Sequence, residues 1–150
     1  MAHPQSSRFV PIREAVAAVL ASAPELAEVK AIARDREAFS RLPASQHPAI
    51  GVFFADAVGA ERPRWASNRR DHSYQLEVQV AVRSLESAQA SEDLLFAYVE
   101  AVEEALRAAP TLGGLVRAMA VSLVRRSRTK VESYWHSQAM LLVIAEQRTA

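Results

Sequence analysis

Four histidines, His3, His47, His72 and His136, are the residues of this chain best able to hold a metal or move a proton near neutral pH. None stands four residues from another, the spacing that mounts two ligands on one helical turn, so they predict separate surface or strand histidines and no metal site. Glu100, Glu103 and Glu104 are close enough in sequence to make a paired acid and base. They fall on the polar side of an amphipathic segment, which predicts a solvated helix face instead. The chain has no cysteine and no G-x-S-x-G, G-x-G-x-x-G or G-x-x-x-x-G-K-S/T pattern, which removes thiolate chemistry, nucleophile elbows, dinucleotide folds and P-loops. Gly113-Gly114 has no Lys after it and runs into a strand-like segment, so it makes a poor phosphate cradle. These residues predict neither an enzyme nor a cofactor.

Two basic clusters remain. Arg62, Arg64, Arg69 and Arg70 surround Trp65 in a long polar stretch, and Arg125, Arg126, Arg128 and Lys130 follow one another with no acid among them. Arg and Trp together suit a protein interface, or a phosphate backbone with a stacked base. With 18 basic against 17 acidic residues the net charge is +1, which gives no support to wholesale binding of nucleic acid or membrane. Solvated surface charge is the plainest reading of both clusters; of the functional readings protein contact is favoured, with a small nucleic-acid-binding α+β domain using the Arg-Trp loop as the alternative.

The 150 residues fit one domain with its own core. No secretion signal and no apolar run of spanning length is present, which predicts a soluble, intracellular chain. Residues 1–10 are expected to be a flexible N-terminus and residues 11–150 a single α+β domain. A helix is expected from Pro11 to Pro24, with Ile12, Val16, Val19, Leu20 and Ala23 on its buried face. A strand follows at 26–33, then a short helix from Arg36 to Leu42 capped by Asp35. "PAIGVFFA", Pro48 to Ala55, reads as a buried strand. In "YQLEVQVAVR", Tyr74, Leu76, Val78, Val80 and Val82 alternate with Gln75, Glu77, Gln79, Ala81 and Arg83, which predicts a strand with one dry and one wet face. Gln79 on the wet face is a candidate protein contact.

Ser91 is expected to cap a second long helix, with Glu92 and Asp93 in its first turn and Leu95, Tyr98, Val99, Val102, Ala105 and Leu106 facing the core. "PTLGGL" ends that helix and redirects the chain, a glycine taking positive φ at no steric cost. "LVRAMAVSLVRR" and "SYWHSQAMLLVIAEQ" then read as two strands joined through "SRTKVE". Grouped strands with helices inserted predict an α+β fold: an antiparallel sheet of about five strands flanked by two main helices and one short helix, with the helices covering one face.

The succession "REAVAAVLA", "VKAIARDREAFSRL" leading to "PAIGVFF", "YQLEVQVAVRS", "LLFAYVEAVEEAL" and "PTLGGL" with two closing strands resembles the tail terminator, or tail completion, proteins of long-tailed bacteriophages and phage-derived particles. The likeness covers roughly residues 12–145 and rests on loose motifs, none of them catalytic. It implies an α+β subunit that forms a hexameric ring on the head-proximal end of the tail tube, stops tube polymerisation and joins the tail to the neck. The partners it implies are further copies of the chain, the tail tube protein and a neck or head-completion protein, with no membrane. Nucleic acid enters only as DNA passing through the ring. It implies no cofactor, no metal and no catalysis, and a place in the virion tail after assembly in the bacterial cytoplasm. A head-to-tail ring needs two unlike complementary patches on each subunit. The acidic helix face at Glu100, Glu103 and Glu104 and the basic run Arg125 to Lys130 are the expected pair.

Overall fold

The computed structural model describes residues 9–55 and 70–149. The elements come in the predicted order: helix α1 (Phe9–Ser22), strand β1 (Ala31–Ala33), helix α2 (Arg36–Ser40), strands β2 (Ala49–Phe54) and β3 (Arg70–Ser84), helix α3 (Ala88–Arg107), and strands β4 (Ala118–Val131) and β5 (Tyr134–Thr149). They build an α+β fold around one five-stranded sheet of order β1-β2-β3-β5-β4.

The sheet is mixed where a fully antiparallel one was expected. β1 runs parallel to β2, while β2–β3, β3–β5 and β5–β4 are antiparallel. The chain between β1 and β2 crosses over through α2 instead of turning back, so the two strands point the same way. β1 is also shorter than the strand expected at 26–33: Pro24–Leu26 forms a single tight helical turn that folds Leu26 into the core.

The dry face of β3 meets α1 and α3. Ile12, Val16 and Leu20 from α1, and Leu95, Val99, Val102 and Leu106 from α3, pack on Ile50, Val52, Leu76, Val78, Val80, Val82, Leu141 and Val143. Burial of each such side chain stabilises the fold by about 1.5–3 kcal/mol, and these stripes match the predicted periodicity. The other face is not bare. Ala49, Phe53 and Ala81 point away from the main core and are covered by Phe39 of α2, whose ring meets Phe53 edge-on with centroids 5.6 Å apart. The helices therefore cover both faces, the short one over the end of the sheet nearest β1 and β2.

Local chemistry explains the remaining boundaries. Asp35 caps α2 as expected, its carboxylate accepting from the Ala38 N–H. α3 starts a turn earlier than expected, because Ser87 accepts from the Ala90 N–H and the Ala-rich start extends the helix. Ser91 is thereby released from capping, and Glu92 and Asp93 lie beyond the first turn. The break after α3 places Leu112, Gly113 and Gly114 at φ of 50°, 70° and 91°, so both glycines take positive φ as expected, and Leu112 joins them in the left-handed region. "SRTKV" continues β4 instead of forming the hairpin loop, and Glu132 and Ser133 alone turn the chain into β5.

Candidate functional site

Glu77 and Gln79 sit on the face of β3 expected to be wet, yet they are only 7% and 9% exposed. β2 on one side, β5 on the other and α2 above remove that face from solvent, and the polar groups compensate by bonding to each other. Arg83 Nε donates to His136 Nδ1 at 3.1 Å, and His136 Nε2 faces Gln138 Oε1 at 3.2 Å. Gln138 Nε2 donates to Gln79 Oε1, and Gln79 Nε2 donates to Glu77 Oε2 at 3.1 Å. Glu77 Oε2 also accepts from Arg36 at 2.7 Å, and Arg36 reaches the Phe54 carbonyl at 2.6 Å while lying 4.9 Å over the Phe53 ring. Because Arg83 can only donate, His136 accepts at Nδ1 and carries its proton on Nε2, and every later donor follows from that.

A cavity of about 350 Å³ opens beside this chain, between α2, β3 and the start of β5. Its walls are apolar at Phe39, Leu42, Phe53 and Val131 and polar at Arg83, His47 and His136. His47 donates from Nδ1 to the Pro43 carbonyl at 2.9 Å and packs edge-on against His136 with ring centroids 5.6 Å apart. Burial lowers the pKa of both imidazoles, and the Arg83 charge pushes in the same direction. Two histidines far apart in sequence are thus neighbours, which their spacing could not reveal. Among the described residues no group of three or more His, Cys, Asp or Glu is placed to hold a metal.

β4 is one of the two edges of the sheet, opposite β1, and it carries the second basic cluster. Val124 is an extra residue in the β4–β5 ladder, between Leu123 opposite Leu141 and Arg125 opposite Met140. This bulge reverses which face later residues occupy. Arg126 and Arg128 consequently turn toward α3, where Glu92 pairs with them at 2.9 and 3.1 Å. Arg126 also lies 5.0 Å over the Phe96 ring, and Arg128 and Lys130 lie 5.8 and 5.4 Å from the Trp135 ring. The basic run that has no acid in sequence therefore has one in space. Arg125 falls on the opposite face with Met140 and Gln138 and is exposed.

Of the other residues singled out by sequence, Glu100 and Glu104 are exposed on α3, and Glu103 is half-buried with Arg107 3.8 Å away. Gln79 is a buried link in the hydrogen-bonded chain, not a solvent-facing contact. Arg62, Arg64, Trp65 and Arg69 lie outside the described residues; Arg70 opens β3 opposite Thr149. Sequence reasoning gave no site role to Arg36, Arg83, Gln138 and Glu92, and read His47 and His136 as separate histidines although their rings meet. The signal for Arg36 and Arg83 was present, since both are cations at positions the strand and cap patterns place beside the sheet. Ser91 was also misread. It is buried in α3, sharing a 2.7 Å hydrogen bond with Ser137 and donating to the Trp135 carbonyl, and so ties the helix to β5. No helix among the described residues is long and apolar enough to cross a membrane. No family model matches the chain, and no curated protein matches it with significance.

Proposed function

We propose that this chain is a non-enzymatic, ring-forming subunit of a phage-like tail, of the terminator type, that closes the head-proximal end of the tail tube and joins it to the neck. The reading rests on the likeness of its segments to that family, and one observation carries it further. Leu123 and Val124, at the bulge of the free β4 edge, are 41% and 54% exposed and are followed directly by Arg125, Arg126, Arg128 and Lys130. An apolar centre with a charged border is the composition of a protein interface. The exposed acids Glu100 and Glu104 on α3 occupy a different layer, which supplies the unlike second patch that a head-to-tail contact needs. Glu92 already satisfies two of the four cations, and Lys130 lies against Trp135 at the far end of β4, so the apolar pair, with Arg125 at its border, carries the contact between subunits.

Light scattering across protein concentration, alone and with tail tube protein, tests this. A hexamer, strengthened by the tube protein and weakened by Val124→Glu without loss of fold, is the expected result. A monomer under all these conditions would overturn it. Tight, salt-sensitive binding of short oligonucleotides, abolished by Trp65→Ala, would instead favour the nucleic-acid reading.

A further inference from the structure

We propose that the cavity between α2 and the β3–β5 ladder is a binding site for a monocarboxylate on an apolar body, with Arg83 as the residue that grips the carboxylate.

The charges lining the cavity select the ligand. Arg36 is neutralised by Glu77 at 2.7 Å, and His47 and His136 are held neutral by burial. Arg83 is the remaining charge on the wall, so the described lining is one negative charge short of balance. Its Nε is committed to His136, while its two terminal nitrogens have no hydrogen-bond partner among the described residues. That end of a guanidinium is a planar fork matched to the two oxygens of a carboxylate. The bond to His136 fixes the guanidinium, so little side-chain freedom is lost when a ligand is bound.

The remaining walls select the body of the ligand. Phe39, Leu42, Phe53 and Val131 give an apolar lining, and about 350 Å³ is at the lower end of the range for small-molecule pockets. A phenyl or short alkyl group attached to one carboxylate fits both the volume and the charge. Inorganic phosphate fits neither, since it brings more than one negative charge at neutral pH and no apolar surface. The same chemistry is offered by a free organic acid and by the C-terminal residue of a polypeptide ending in an apolar side chain. This site lies on the face opposite α1 and α3.

Calorimetric titration of the full chain with phenylacetate, hexanoate and a short acetylated peptide ending in free Phe tests the proposal. Phenylacetamide and inorganic phosphate serve as controls. At least one carboxylate is expected to bind at about millimolar Kd or tighter, with phenylacetamide at least about tenfold weaker, because a hydrogen-bonded ion pair is lost. Arg83→Gln is expected to abolish binding. Arg83→Lys keeps the charge but not the fork, and is expected to weaken binding at least about tenfold while thermal unfolding confirms that the protein is folded. Tighter binding of the peptide identifies a polypeptide C-terminus as the source, and tighter binding of the free acids identifies a small acid; both support the site. No carboxylate bound at 10 mM, roughly ten times the expected Kd, equal binding of amide or phosphate, or unchanged binding in folded Arg83→Lys would overturn it.

Discussion

Arg83 and Glu77 lie on one face of β3 and are joined by hydrogen bonds that all run in one direction. The path leaves β3 at Arg83, crosses to His136 and Gln138 on β5, and returns through Gln79 to Glu77. It starts at a cation and ends at an anion, so each bond polarises the next in the same sense. Removal of a middle link takes one hydrogen-bond partner from the group on each side of it.

Gln79 and Val78 are neighbours on opposite faces of β3, and both positions are expected to be sensitive. Val78→Asp buries an unpaired carboxylate among apolar side chains and is expected to cost about 3 kcal/mol or more. Gln79→Ala strands the Gln138 amide and removes a donor from Glu77, for a loss of about 1–3 kcal/mol. Urea unfolding of the two variants checks this. A loss at Gln79 within about 0.5 kcal/mol, as for an ordinary surface change, would mean that the face is solvated after all.

Acidification is expected to destabilise the fold before carboxylates begin to titrate. The folded protein holds His47 and His136 neutral, with pKa values below the ordinary 6.5, while the unfolded chain takes up protons at that ordinary value. The unfolded state then binds more protons, so stability is complete above about pH 6.5 and falls as the pH drops from there through the lowered native values. The slope is at most about 1.4 kcal/mol per pH unit for each histidine. Urea midpoints between pH 8 and pH 5 measure it. No change across that interval would show that the imidazoles titrate normally in the fold.

Gly51 allows Phe53 to fold back over its own strand. A Cβ at position 51 would lie 2.2 Å from the Phe53 ring and 3.1 Å from Phe39. Gly51→Ala is expected to push both rings, loosen α2 from the sheet and cost about 1–3 kcal/mol as overpacking. Unfolding measurements give the cost, and near-ultraviolet circular dichroism reports the aromatic pair. A fully stable variant with an unchanged aromatic spectrum would show that the rings do not hold this position.

Glu92→Gln removes the carboxylate shared by Arg126 and Arg128. All three side chains are more than a third open or close to it, so stability is expected to fall by no more than about 1 kcal/mol. The edge of the sheet gains uncompensated positive charge, and the variant is expected to elute later from a cation exchanger than one charge elsewhere on the surface explains. Glu100→Gln is the matched control. Coincident elution of the two variants would argue that Glu92 does not screen this cluster.

Periodicity carried most of the fold. The stripes of α1 and α3 and the alternation of β3 each report which residues are dry, and those residues form the main core. What alternation could not report is whether the polar side of β3 meets water or other polar groups. Glu77 and Gln79 read as solvated because burial of such residues depends on Arg36, Gln138 and His136, which are brought beside them only by tertiary structure. The bulge at Val124 was equally invisible, since one extra residue leaves composition unchanged while turning Arg126 and Arg128 toward Glu92. The parallel β1–β2 pair escaped for another reason: three strand residues are too few to show a period.

The placement of β5 between β3 and β4 has a kinetic consequence. Its pairing with β4 needs only the Glu132–Ser133 turn and is local, whereas Arg70 must find Thr149 and Ser84 must find Trp135 to close the central ladder. Contacts so distant along the chain form against a large loop entropy and slow the search for the native sheet. During synthesis, β3 emerges well before β5 and waits with one edge unpaired, next to α3 and without its final neighbour. Until β5 arrives, its apolar Leu76, Val78, Val80 and Val82 stand at the border of an unfinished sheet, so that interval exposes the chain to mispairing and chaperone capture.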